Sequence, residues 1–561
     1  MTATATAAPH ANGSKPTISD NDSVLLSAFK TPEQVLQANR RTISELMQHL
    51  DTIAAKQPKE YLYDCINRGE LGSAELLCAI AKGYVVYDRA SSEWYIFNGL
   101  HWELDSGGNV YSLAGKVLSS LYRQLAAEKY QESLDYRSSL VDPSKPTESD
   151  KAHISGLNKE AKRAEEKTKD LYKLAYIKNV LFYAGATEFL GVVGEEWDAQ
   201  TNLLGVNNGV IDLATGKLVV PHPAQYIRTI APTDFVSGAI CPVFDESIRE
   251  IFANDDSIVS YVQRLLGYAM SGTCHESDFF VWYGKNGRNG KEFILERIQM
   301  VLGAKLSGVA EAELLLSSKN QRAKNSSTEA LMTLRGRRLA WASETNEGRS
   351  LDNAMMKDLS GGRRLTGRHN HGKQEEWWRT HTLILLTNHK PHVSGGGGGA
   401  EWERIKLLSF TESFVSDPNP ADPHQHKKDP TLGNYIDKNE LPGVLNWLIR
   451  GCLEWRKSGM QTPDSVKNAT KQYREDEDTL GRFIADRCIE DAKEKVGRQV
   501  LFDEYADWCE KNKDKGMGSK TFYDKIEDRG FQRPKRSGAG SVFKGLRVKT
   551  AAERLADLED E

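Results

Sequence analysis

Paired cysteines are the first thing this sequence lacks. Its seven cysteines, Cys65, Cys78, Cys241, Cys274, Cys452, Cys488 and Cys509, stand far apart, and no C-x-x-C pair faces a second pair or histidines at zinc spacing. This excludes a zinc ribbon or a disulfide scaffold and leaves ordinary thiols of a reducing interior. Long apolar runs are missing too: nothing approaches the roughly 18 consecutive apolar residues of a membrane span. The N-terminus has no basic segment leading into an apolar one, so a soluble, cytoplasmic protein with no membrane partner is expected. Neither sign of charge dominates, since 74 Lys and Arg against 78 Asp and Glu leave a net charge of -4. Without a global positive field, any contact with nucleic acid must come from local patches. No repeat of solenoid length is present.

At 561 residues the chain is too long for one core and should divide into three or four units. Residues 1–60 read as a disordered arm, poor in large apolar side chains through about residue 28, followed by a helix. That helix is expected from Thr31, an N-cap with Pro32 behind it, through Val35, Leu36, Ile43, Leu46, Met47 and Leu50. Residues 61–240 suggest a small α+β domain. Its aromatic stretch from Tyr84 to Trp102 alternates like a hairpin closed at Asn98-Gly99, and further turns fall at Asn208-Gly209 and Thr215-Gly216. The charged middle, from Lys129 to Lys173 with Pro143 and Pro146, reads as a solvated helix with a loop. Residues 241–460 alternate apolar strands with helical segments, as a parallel sheet covered on both faces would. A polar joint near 460–478 leads to a small basic module ending at 549, and 550–561 form an acidic tail.

The chemistry concentrates in 241–460. Asp278 to Lys291 reads DFFVWYGKNGRNGK, and Phe293, Ile294, Leu295, Ile298 and Leu302 follow at helical spacing: strand, glycine loop, helix. Gly284, Gly287 and Gly290 let backbone N–H groups converge on a phosphate, the helix N-terminus adds its positive end, and Lys291 reaches the outer phosphates. Asn289 and Glu292 complete the candidate nucleotide-binding set. Two departures from G-x-x-x-x-G-K-[ST] stand out. Gly284 and Gly290 are one residue too far apart, and Glu292 occupies the place of the magnesium-binding hydroxyl, where it can either ligate the ion or repel the phosphate. Downstream, the strand RLAWASE ends in Glu344, suited to polarising water or holding a metal. The strand TLILLTN ends in Asn388, suited to orienting water. Trp402-Glu403-Arg404-Ile405 opens a further strand, and Arg404 at a subunit edge could stabilise a neighbour's transition state. Taken singly, each also fits a structural role; their order carries the argument.

Lys291, Glu344, Asn388 and Arg404, separated by 53, 44 and 16 residues, resemble superfamily 3 helicases. The likeness is closest to the phage, plasmid and poxvirus replication primase-helicase family. It extends through Met356 to Gly362 (MKDLSGG), Leu365 to Arg368 (LTGR), NNGVIDLATGKL ahead of them, and LFDEYADWCEKN and TFYDKIEDRGF behind. The resemblance implies an α/β fold with an AAA+ type P-loop core, preceded by a small α+β domain and followed by a C-terminal winged helix. It also implies a phage- or mobile-element protein of a bacterial host, acting as a homo-oligomeric, usually hexameric ring with ATP and Mg2+ between subunits and single-stranded DNA in the channel. Lys291 and Glu344 would then serve phosphate binding and hydrolysis, Glu344 and Glu292 the metal, Asn388 sensing, and Arg404 a neighbouring site. Arg368 to Arg379 (RHNHGKQEEWWR) resembles the hairpin that such rings point inward, with Arg368, His371 and Lys373 as phosphate contacts. Arg363 where an aspartate is usual, and the run Gly395 to Gly399 where acids are usual, depart from the family pattern.

Residues 511–549 hold 12 Lys and Arg against 4 Asp and Glu. From Leu480 to Lys549, apolar positions including Phe483, Cys488, Leu501, Trp508, Phe522, Ile526, Phe543 and Leu546 fit three helices followed by a β-hairpin. The expected recognition helix is Ser519 to Arg529, with Lys520, Thr521, Tyr523 and Lys525, and the wing carries Arg533, Lys535, Arg536 and Lys544. Two readings remain open: an ATP-hydrolysing DNA helicase, or a nucleotide-gated DNA-binding initiator or scaffold with little turnover, for which Glu292 speaks. Primer synthesis is not expected, because the first 240 residues show no strand-borne carboxylate pair with a partner histidine.

Overall fold

In the computed structural model, which describes residues 40–316, 328–344, 346, 348–362, 364–369, 372–393, 399–514, 516–532 and 542–554, the first helix begins at Ile43. Thr42 caps Ile43–Ala54 in a reciprocal box with Glu45, and Leu46, Leu50 and Ala54 line its buried face. The expected N-cap at Thr31 lies outside the described residues. A local cap at Thr42 fixes the start.

The chain divides into two compact units, Met1–Phe235 and Val236–Glu561. The first opens its strands with β1 (Val85–Asp88), β2 (Glu93–Phe97) and β3 (Trp102–Leu104), a meander joined on its other edge by β4 (Gly191–Val192). Asn98 does close the β2–β3 turn, its side-chain oxygen accepting from the N–H groups of Leu100 (2.8 Å) and His101 (2.9 Å). Trp102 and Trp197 pack with Tyr95, Phe97 and Tyr226, and both indole N–H groups find acceptors, the Pro223 carbonyl and the Asp88 carboxylate, at 2.9 Å each. The charged middle forms two helices packed on one another, Asn109–Ser138 and Glu148–Asp170. Small buried residues, Ala161 and Ala164, serve the contact. A second sheet contains β5 (Leu203–Val206), β6 (Gly209–Asp212), β7 (Lys217–Val219) and β8 (Ile230–Ala231) in the order β7-β6-β5-β8.

The second unit is built on β9 (Phe279–Tyr283), β10 (Ser307–Val309), β11 (Leu339–Glu344), β15 (Thr382–Thr387) and β17 (Ile405–Ser409). All pair in parallel, in the order β10-β11-β15-β9-β17. Their near-continuous apolar runs are mostly buried, and β15 is buried throughout, as a sheet covered on both faces requires. Short pairs lie between and after them: β12 (Ser350–Leu351) with β16 (His392–Val393), β13 (Arg364–Gly367) with β14 (Glu375–Trp378), and β18 (Ser413–Val415) with β19 (Gln425–Lys427). The expected polar joint is instead the helix Asp464–Glu477, which packs on β17 and buries Val466 and Tyr473. Its remaining positions are charged or polar apart from Ala469, so its apolar edge is too thin to read from periodicity.

The C-terminal module has its own core around Phe483, Tyr505, Phe522 and Phe543. Its order corrects the expectation of three helices and then a hairpin. Helix Thr479–Arg487 is followed by β20 (Cys488–Gly497), helices Arg498–Asn512 and Ser519–Asp528, and β21 (Val542–Val548), which pairs antiparallel with β20. Cys488 thus opens a strand. Among the described residues all cysteines are free, and no helix is long and apolar enough to cross a membrane.

Candidate functional site

Open parallel sheets bind ligands beyond the carboxyl ends of their strands, where successive connections depart in opposite directions. From β9 the chain runs to the β10 edge, whereas from β15 it crosses to β17 on the other side of β9. The loop after β9 therefore sits at the switch. The Gly284 N–H donates to the Thr387 carbonyl at 3.1 Å, tying the glycine loop to β15. Gly290 caps the helix Lys291–Leu302 at φ 84°, and a Cβ there would come within 2.5 Å of Ile251. At Gly284 a Cβ would lie 2.7 Å from the Lys291 ammonium. Both glycines are thus required by space, and Gly290 by backbone conformation as well.

Lys291 is only 7% exposed. Its ammonium donates to the Gly284 carbonyl (3.3 Å) and to the side-chain oxygens of Asn289 (3.1 Å) and Asn388 (3.2 Å), which occupy all three of its protons. All three acceptors are neutral. Burial pushes its pKa down to about 8, with the Glu292 charge opposing. Asn289 in turn donates to the Glu412 carbonyl at 2.9 Å. A cleft beside this lysine is lined by Gly287, Asn289, Glu292, Asn388, Phe414 and Lys428, among others. A buried cation facing only uncharged oxygens at a helix N-terminus is a place where an anion gains and loses little.

The structure brings Lys291, Asn289, Asn388 and the three glycines together. Glu292 stands exposed on the cleft wall. Glu344 lies one strand further on, opposite Thr387 in the β11–β15 register. It is buried, accepts from the Asn346 N–H at 2.7 Å, and has the Arg349 Nε 4.0 Å away. Glu344 does not line the cleft, and no group of three His, Cys, Asp or Glu among the described residues is arranged to hold a metal ion. Arg404 precedes β17 at the amino end of the sheet, away from the glycine loop, and donates to the Ser277 carbonyl (3.2 Å) and the Ser360 hydroxyl (3.5 Å).

β13 and β14 form the hairpin expected around Arg368 to Arg379, with Gly367 paired to Glu375. Arg368 and Lys373 are exposed beside its tip, and His369 Nδ1 bonds Glu329 at 2.8 Å. His371 and Arg363 lie outside the described residues, as do Gly395 to Gly398. In the C-terminal module Lys520, Thr521 and Lys544 are exposed, whereas Tyr523 is buried and Lys525 half-buried, its pKa lowered by that burial. Arg533, Lys535 and Arg536 lie outside the described residues. Sequence reasoning missed the segment beyond β17: Phe414 and the pair Lys427-Lys428, which line the cleft, and Glu412, whose carbonyl holds Asn289. The H-x-H spacing of His424 and His426 was its one legible signal.

A parallel sheet with a glycine loop and a buried lysine at its switch point defines an α/β chain with a pocket suited to phosphate. The family described as D5 N terminal like matches residues 74–253, and Poxvirus D5 protein-like matches residues 475–537. The chain is 25% identical over 360 residues to the "Putative primase C962R" of African swine fever virus (strain Badajoz 1971 Vero-adapted), covering 61% of this chain and 36% of that protein. It is 24% identical over 460 residues to the "Putative helicase L207/L206" of Acanthamoeba polyphaga mimivirus, covering 77% and 45%. The chain thus spans about a third to a half of the length of these relatives. The apo structure of the NrS-1 C-terminal region in its A form aligns at 9% identity and a TM-score of 0.42, over 86% of this chain and 100% of that one, a distant likeness only. These matches support a likeness of the chain to a primase-helicase family related to the superfamily 3 helicases.

Proposed function

We propose that this protein is an ATP-dependent DNA helicase or translocase of viral or plasmid replication, working as a ring on single-stranded DNA. The observation that carries the reading is the Lys291 ammonium, buried among three neutral oxygens at the carboxyl end of a parallel sheet. A triphosphate entering the cleft replaces those oxygens and neutralises the charge. The names of the viral relatives support a replication role.

In this reading, Lys291 and the loop N–H groups hold the β- and γ-phosphates. Asn388, released from the lysine, is free to orient water. The buried Glu344 carboxylate polarises that water. Glu344 and the cleft-wall Glu292 are the carboxylates that would help hold Mg2+, which, bound with the phosphates, would supply positive charge beside the γ-phosphate. Arg404 stands at the end of the sheet remote from its own lysine, an arrangement that suits action on a neighbouring subunit's nucleotide in an oligomer of AAA+ type. The exposed Arg368 and Lys373 near the hairpin tip suit phosphates of a threaded strand. Lys520 and Lys544 suit duplex phosphates if the C-terminal module acts as a winged helix.

The test is ATPase activity with and without single-stranded DNA. We expect stimulation by DNA and loss of activity in Lys291→Ala; no hydrolysis of any nucleotide by the wild type would remove the helicase reading. Glu292 on the cleft wall favours a second reading, a nucleotide-gated DNA-binding initiator with weak turnover. ATPase activity that appears only in Glu292→Ser would select it.

A further inference from the structure

Behind the glycine loop lies a buried carboxylate with two histidines. Glu412 is 3% exposed. One of its oxygens accepts from His424 Nδ1 (2.8 Å) and the Thr411 hydroxyl (3.0 Å), the other from His426 Nε2 (2.6 Å). The parallel pairing of β18 with β19 brings these groups together: Phe414 faces His426 in register, and the Ser413 N–H donates to the His424 carbonyl at 2.8 Å. The same short segment holds the loop from behind. The Glu412 carbonyl takes the Asn289 amide, the Phe414 N–H donates to the Arg288 carbonyl at 2.9 Å, and Asn289 also accepts from Lys291. Hydrogen bonds from the two imidazoles to the Glu412 carboxylate, and from Lys291 through Asn289 to the Glu412 carbonyl, therefore meet at this one residue.

We propose that Glu412, gripped by His424 and His426, is a positioning residue that holds the glycine loop in its phosphate-binding form, and that loss of the His424 grip loosens the loop. This rests on the nucleotide reading of the same pocket. A carboxylate removed from water needs donors on both oxygens, and a charged imidazole is roughly twice as strong a donor as a neutral one. Glu412 keeps the His424 proton bound above the ordinary histidine range, aided by Asp422; against burial, which would raise it, the histidine and threonine donors hold the Glu412 carboxyl below the ordinary carboxylate range. The charged pair is thus complete between those limits and is lost as pH rises through the His424 value. The other charged groups on the packed elements are Lys427 and Lys428 at the end of β19, and Arg288, Lys291 and Glu292 on the loop and helix start.

The experiment uses the full chain and adenylyl imidodiphosphate with Mg2+, with dissociation constants measured from pH 6 to pH 9. His424→Asn and His426→Asn keep a neutral donor, and Glu412→Gln keeps the size of the side chain. Because Lys291 also loses its proton in this range, the ratio of variant to wild type is the quantity read. We expect the His424 variant to bind about fivefold more weakly near pH 6.5, with its ratio falling toward one by pH 9, and the His426 variant to bind more weakly than wild type. Glu412→Gln should bind weakly, with a melting temperature within a few degrees of wild type and a pH profile flatter than that of wild type. A His424 ratio that stays constant across the range, or variants that match wild type throughout, overturns the proposal while leaving the nucleotide site in place. Failure of the wild type to bind at every pH overturns both.

Discussion

Binding of a nucleoside triphosphate should draw a proton from solution onto Lys291, by an amount the structure sets. Burial lowers the lysine pKa to about 8, against about 10.4 in water. A polyphosphate placed on the ammonium reverses the cause, because it supplies the counter-charge that the three neutral oxygens do not. If the bound-state pKa returns to about 10 or above, uptake is the fraction neutral beforehand: about 0.1 proton at pH 7, about 0.5 at pH 8 and about 0.75 at pH 8.5. The same linkage weakens affinity about tenfold between pH 7 and pH 9. Titration calorimetry in two buffers of different ionisation enthalpy gives the uptake directly, with a non-hydrolysable analogue and Mg2+ present. Uptake near zero at pH 8.5, with tight binding, would mean that phosphate does not reach Lys291 and would refute the pocket assignment. Without nucleotide the sign also runs through stability. The unfolded chain binds more protons than the fold between about pH 8 and 10.4, so stability should rise across that window.

Gly290→Ala, with φ 84° and Ile251 in the path of the new Cβ, should cost about 1–3 kcal/mol and abolish nucleotide binding, read by thermal melting and by calorimetry. Glu344→Gln should keep nucleotide binding and lose about a hundredfold or more in hydrolysis; an unchanged steady-state rate would remove Glu344 from the chemistry. Arg404→Ala should bind ATP normally and hydrolyse it about a thousandfold more slowly. Mixing it with Lys291→Ala subunits should recover part of the activity, because each supplies what the other lacks, and no recovery would argue against a role across subunits.

The glycine loop was legible because its backbone writes itself into residue identity: Gly290 needs a left-handed conformation and Gly284 must leave room for an ammonium. The central strands were legible because burial on both faces leaves nearly unbroken apolar runs such as TLILLT. Other elements hid for equally physical reasons. Helix Asp464–Glu477 touches the core through little more than Val466, Ala469 and Tyr473, so its charged faces read as a linker. β20 pairs on one side only and has mostly exposed residues along CIEDAKEKVG, which gives no alternation to detect. Glu412, His424 and His426 meet only through a parallel pairing across a nine-residue connection, from Val415 to Gln425, that no local pattern announces. Lys525 falls on the expected recognition helix, yet that helix turns it partly inward.

Glu292 bears on hydrolysis more than on binding. It is exposed on the cleft wall, so water screens its repulsion of a phosphate, and its charge helps Lys291 keep its proton. Those two effects oppose one another at the step of capture. What the substitution removes outright is a hydroxyl at the second helical position, where a P-loop motor ordinarily anchors Mg2+. Glu344, the other carboxylate at this end of the sheet, is set one strand away and already engaged by the Asn346 N–H. On the proposed reading, the groups that would seize a triphosphate are assembled around Lys291 in a single copy, whereas cleavage would call on a metal with few carboxylates near it and on Arg404 at the far end of the sheet.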